Sequence, residues 1–139
     1  MFLQNGFGKT MDILHRTMDV SMYRQQVVAD NIANADTPNF KRSNVNFEAE
    51  LKRALDSEKQ RPRVKTVVTN PRHISNDKVQ NYRNVEPRRV LDYLSTSDNN
   101  GNNVDIEEES MLLLQNQLRY NLMTRSVSDH FTRINMVLR

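Results

Sequence analysis

The stretch Asn31–Phe40, N-I-A-N-A-D-T-P-N-F, decides how this 139-residue chain is read. It closes a run without Gly or Pro from Lys9 to Thr37, and Pro38 disfavours the α region for Thr37, so a helix boundary falls there. Three asparagines in ten residues are costly in a helix interior, because amides compete for backbone hydrogen bonds. An amide-rich turn of this kind either caps carbonyls or is read by a neighbouring chain.

Upstream of the turn, Phe7, Met11, Leu14, Met18, Val28, Ile32 and Ala35 follow a 3-4 spacing, with the polar Ser21 and Gln25 at the missing steps. Met22 and Ala29 widen this stripe. The pattern predicts a heptad-like helix over about residues 9–34, roughly 39 Å long at 1.5 Å per residue. A second uninterrupted window runs from Asn102 to Arg139. Asp105 is placed to cap it, Glu108 to close a capping box, and Glu107 and Glu109 to favour the positive helix end. Met111, Leu114, Leu118 and Leu122 form one apolar stripe, and Leu113, Tyr120, Val127, Phe131, Ile134 and Leu138 a second, offset one. Two apolar faces on one helix imply two neighbours.

All four prolines lie between these windows. Within that centre, Phe47, Leu51, Ala54 and Leu55 predict a short helix over Phe47–Glu58. Val64, Thr66, Val67 and Val68 suggest a strand, and the rest reads as extended or irregular. The fold expected is mainly α, with the N- and C-terminal helices pairing as a coiled-coil-like core and a small irregular or β-containing middle. Its segments are 1–40, a basic 41–100, and 101–139.

Composition narrows the function. Hydrophobic residues make up 37% and aromatic residues 6%, lean for a compact enzyme and normal for long, half-exposed helices. There is no cysteine, so neither a disulfide framework nor a thiolate nucleophile is available. His15, His73 and His130 stand in no ligand or triad spacing, and no Gly-flanked serine or phosphate-cradling loop occurs. Catalytic, metal and cofactor-binding residues are therefore read as none. The register Thr96-x-Asp98-x-Asn100-Gly101-x5-Glu107 approaches a calcium loop, but Thr replaces the first Asp and Asn103 the usual apolar residue.

The N-terminus lacks the basic and apolar regions of a cleaved signal peptide, and no apolar stretch approaches the roughly 20 residues of a membrane span. Residues 41–90 carry 13 Lys/Arg against 6 Asp/Glu, while the remainder is mildly acidic. Nucleic-acid binding is the alternative this invites, yet the charge is spread out without aromatic interleaving or a recognised motif. A helical export chaperone or adaptor is another. The reading preferred is an interaction protein whose two long helices pair and still leave apolar surface for partners.

The residues V-V-A-D-N-I-A-N-A-D-T-P-N-F-K-R at Val27–Arg42 closely resemble the N-terminal signature of flagellar rod and hook proteins, the axial family of the bacterial flagellum. T-N-P-R-H-I at Thr69–Ile74, G-N-N-V-D-I-E-E-E at Gly101–Glu109 and L-L-L-Q-N-Q-L-R-Y at Leu112–Tyr120 resemble its short proximal-rod branch. The resemblance implies a non-enzymatic subunit without cofactors that assembles helically with itself and other rod proteins. It implies a periplasmic rod at the basal body, next to the inner-membrane ring and a basal adaptor protein, passing torque outward to the distal rod and hook. Export would use the flagellar type III apparatus without a cleaved signal, with no nucleic acid bound and no membrane insertion.

Carried over by position, Asn31, Asn34, Asp36, Thr37, Pro38 and Phe40 would form the signature turn, and Asn102, Asn103 and Asp105 would enter the C-terminal helix. Asn31 and Asn34 are expected to contact a neighbouring chain. The seam Met11, Leu14, Met18, Val28 and Ile32 is expected to bury against Leu114, Leu118, Leu122 and Val127, leaving Phe131, Ile134 and Leu138 for an adjacent subunit. The free chain is expected to order its ends only on assembly.

Overall fold

A computed structural model describes residues 6–59, 69–70, 72, 79–95 and 101–138. The chain is mainly helical. A long N-terminal helix, α1 (Gly6–Ala33), and a long C-terminal one, α3 (Ile106–Val137), pack together. At 1.5 Å per residue their 28 and 32 residues span about 42 and 48 Å. Ser21 bonds Asn116, Asn31 bonds Glu109, and Phe7 sets its ring edge-on to His130 at 5.4 Å, so the two helices run antiparallel. Between them the chain forms β1 (Ser43–Asn46), α2 (Glu48–Lys59), a 3-10 turn at Tyr82–Asn84 and β2 (Arg88–Leu91). β1 and β2 pair as a two-stranded antiparallel sheet.

Two compact units result, residues 1–45 with 89–139, and residues 46–88. In the second, Phe47 just before α2 and Leu51 and Ala54 on one face of it are buried, as is Tyr82 of the 3-10 turn. Asn81 caps that turn by accepting from the Arg83 amide, and Ser57 Oγ accepts from the Gln80 amide at 3.0 Å. The strand predicted at Val64–Val68 lies outside the described residues.

In the first unit, α1 ends as the proline implies. Its last carbonyls pass into tight turns, with the Asn34, Ala35, Thr37 and Phe40 amides bonded to carbonyls three or four residues back. α3 begins at Asp105, whose carboxylate accepts from the amides of Glu107 at 2.9 Å and Glu108 at 3.4 Å. The return half of the expected capping box is replaced, because the Glu108 carboxylate holds Arg42.

The pairing faces differ from those expected. On α1, Val20, Val27 and Val28 are buried, while Met11, Leu14, Met18 and Ile32 are half-buried. On α3 the row Glu109, Leu113, Asn116, Tyr120, Met123, Val127, His130, Ile134 alternates steps of four and three and turns inward. Leu114, Leu118 and Leu122 do not join the seam: they are 55%, 57% and 65% exposed. Phe131 and Leu138 are exposed as well. The physical reason is polar pairing. Ser21 and Asn31 on α1 must bury against groups that satisfy them, and α3 offers Asn116 and Glu109 on the inward row only.

Candidate functional site

Three asparagines of the two signature segments act as substitutes for peptide groups. Asn31, fully buried, accepts from the Ser43 amide at 3.0 Å and donates to the Ser43 carbonyl at 2.9 Å. Its amide thereby occupies the edge of β1 as a neighbouring strand would, and its Nδ2 also donates to Glu109 Oε2 at 3.1 Å. Asn103 stands between the strand extensions. It accepts from the Arg42 amide at 2.6 Å and donates to the Asp92 carbonyl at 2.7 Å, beside the direct bond from the Asp92 amide to the Arg42 carbonyl. Asn102 clasps the end of α1: its Nδ2 reaches the carbonyls of Asn34, Ala35 and Thr37, while its Oδ1 accepts from the Val104 amide at 2.7 Å.

Gly101 makes this clasp possible. Its φ of +79° is left-handed, and a Cβ there would sit 2.8 Å from Asn39 Oδ1. Lys41 donates to the Gly101 carbonyl at 2.9 Å.

A charged cluster closes the junction. Arg42 binds Glu108 in a fork, at 2.8 and 3.3 Å, and its Nε lies 3.4 Å from Glu109 Oε1. The Glu109 side chain is completely buried. Burial raises its pKa above the ordinary carboxylate value; the Asn31 bond and the Arg42 charge oppose the rise, whereas Glu108 and Asp105 add to it. Farther along the pair, Ser21 Oγ donates to Asn116 Oδ1 and Asn116 Nδ2 to the Ser21 carbonyl, both at 2.8 Å. These polar layers fix one register of α1 against α3, since any slide leaves an amide or a carboxylate buried without a partner.

The signature residues therefore divide. Asn31, Asn102 and Asn103 are buried within their own chain. Asn34 is half-buried and donates to the Asp30 carbonyl at 2.8 Å. Phe40 is half-buried, while Asp36, Thr37, Pro38 and Asp105 are exposed. Sequence reasoning missed Ser43 and Asp92, which matter for their backbone groups, and Arg42, which matters for its guanidinium as well. The one signal for the matched layers was the polar gap at Ser21 in the α1 stripe.

Opposite the inward row, α3 presents Met111, Leu114, Leu118, Leu122 and Met136, all more than half exposed. No catalytic constellation accompanies this stripe: His15 is exposed and His130 packs on Phe7, and no cluster of metal ligands occurs among the described residues. His73 and the calcium-loop residues Thr96, Asp98 and Asn100 lie outside the described residues, and Glu107 occupies the first turn of α3. Among the described residues no helix is long and apolar enough to cross a membrane.

The family model "Flagella basal body rod protein" matches residues 22–41, which include the signature turn. The chain is 47% identical to the flagellar basal body rod protein FlgB of Borreliella burgdorferi, over 97% of this chain and 99% of that one. It is also 47% identical to its counterpart in Borrelia hermsii over the same shares. Identity to FlgB of Bacillus subtilis is 32%, over 95% of each chain.

Proposed function

Because this chain belongs to the family of the flagellar basal body rod protein FlgB, we propose that it packs helically into the proximal part of the rod through the outer stripe of α3. It is a structural subunit of the basal-body rod, associated with other rod proteins, and not an enzyme. The observation that carries the proposal is the division of labour on α3. One face is consumed by α1, and the opposite face exposes a contiguous row of Met and Leu that a solvated helix would not retain. Burying it against neighbouring subunits supplies a favourable term of about 25 cal/mol per Å² of apolar surface.

In this proposal Leu114, Leu118 and Leu122 bind between subunits, while Phe131 and Leu138, set on the side of the inward row, make a separate contact at the far end. Asp36, Thr37 and Pro38 are the signature residues left at the surface to touch a neighbour. The rod passes torque from the inner-membrane ring outward through register-locked helix pairs, the polar layers resisting slip between α1 and α3. The subunit borders the ring and its adaptor and leaves the cytoplasm by the flagellar type III apparatus without a cleaved signal.

Fractionation with immunolabelling tests this placement. An epitope-tagged chain co-purifies with basal bodies and labels their membrane-proximal end. Recovery only in the cytoplasm would favour a chaperone or adaptor, and labelling of the distal rod would contradict the proximal position.

A further inference from the structure

A cleft of about 200 Å³ opens between α1, β1 and α3, with Arg24 of α1 and Arg119 of α3 on its walls. Among the described residues no acidic side chain lines it. Arg24 donates to the Val45 carbonyl of β1 at 3.4 Å. Arg119 is exposed and makes no hydrogen bond or ion pair among the described residues. Gln115 adds an exposed amide, and the floor is fixed, because Ser21 engages both amide atoms of Asn116. Two guanidinium groups beside one small cleft repel each other and favour an anion between them. The matching charge stands on the signature turn. Asp36 is exposed just beyond the C-terminal, negative end of α1, and its carboxylate meets no cation among the described residues. A carboxylate there gains nothing from its own helix, unlike Asp105 and Glu107 at the positive end of α3.

Resting on the rod-subunit reading, we propose that the Asp36 carboxylate of one copy enters the Arg24–Arg119 cleft of the next. About 14 Å of helix separates Arg24 from the end of α1 at 1.5 Å per residue, so turn and cleft are separate patches. A contact between two different patches is heterologous. It does not close on itself and repeats from copy to copy, as a helical array requires. The cleft also adjoins the face already assigned to assembly. Around α3, Gln115 and Arg119 lie between the outer stripe of Leu114, Leu118 and Leu122 and the row that meets α1. A neighbour seated on the stripe therefore lies beside the cleft. The carboxylate accepts from Arg119 and Arg24, with the Gln115 amide in support. Such a charge pair adds less to affinity than to the register in which neighbours dock.

The chain has no cysteine, so single thiols can locate the contact. Thr37→Cys marks the turn, and Asn44→Cys, at an exposed residue lining the cleft, marks the acceptor. The two chains are co-expressed, basal bodies are purified, and a short bismaleimide is added. The mixed dimer of Thr37→Cys with Asn44→Cys is expected at a yield at least about tenfold above that of Thr37→Cys with Met22→Cys, an exposed site on the opposite face of α1 from Arg24. Asp36→Asn in the first chain, or Arg119→Gln in the second, returns the yield to that background. Both chains present in rods without the mixed dimer overturn the contact and leave the rod reading standing. So does a mixed dimer indifferent to Asp36→Asn. Absence of even the tagged parent chain from basal bodies overturns the rod reading, and the contact with it. If the cysteine chains are excluded from rods, charge reversal decides. Asp36→Arg and Arg119→Glu each lower incorporation and together recover part of it, and a double variant no better than either single one overturns the contact.

Discussion

At the residue scale, the asparagines that mark this chain work inward. Asn102 concentrates the effect, because one side chain satisfies carbonyls at the end of α1 and caps its own turn. Asn102→Ala leaves these groups buried without partners and is expected to cost about 2–4 kcal/mol, read as a lower midpoint in chemical denaturation. Asp36→Ala, on the exposed side of the same signature, stays within about 0.5 kcal/mol of the parent. Glu109 adds a pH dependence whose sign follows from its raised pKa. The folded chain holds the Glu109 proton more tightly than the unfolded one, so stability falls as pH climbs from the ordinary value of 4.5 through the folded pKa. Glu109→Gln keeps an oxygen for Asn31 and flattens that slope, so its thermal midpoint gains on the parent as pH rises toward neutrality. A parent that instead gains on the variant as pH rises would show that the ion pair with Arg42 outweighs burial. None of these roles was legible in the sequence, because an amide that imitates a peptide is recognised only when its backbone partners, dozens of residues away, are seen.

At the element scale, local chemistry made most of the fold legible. Pro38 set the end of α1, Asp105 the start of α3, and the 3-4 steps of Phe47, Leu51 and Ala54 the course of α2, since each rule acts over a few residues. Which stripe of α3 faces α1 was not legible. Both stripes are apolar, and periodicity ranks them by hydrophobicity alone. The structure chooses by polar complementarity, so the row containing Glu109 and Asn116 turns inward although it is the less apolar. Truncation at matched positions checks this choice. Val27→Ala, at a site 1% exposed, is expected to cost about 1–3 kcal/mol of unfolding free energy. Leu114→Ala, on the outer stripe, changes the monomer by less than about 0.5 kcal/mol. Equal losses in thermal denaturation would mean that both faces are already packed within one chain.

At the scale of the whole molecule, the polar layers hold α1 and α3 in one register, and in the proposed function the outer stripe is the face that assembles. The account's central claim is that folding and assembly use opposite faces of α3. Its most direct test is the amount of Leu118→Asp chain incorporated into purified basal bodies, measured relative to export and with monomer stability recorded in parallel. The account predicts a monomer as stable as the parent, exported normally, absent from the rod, in cells that do not swim. Incorporation at the parental level, with motility intact, would contradict it.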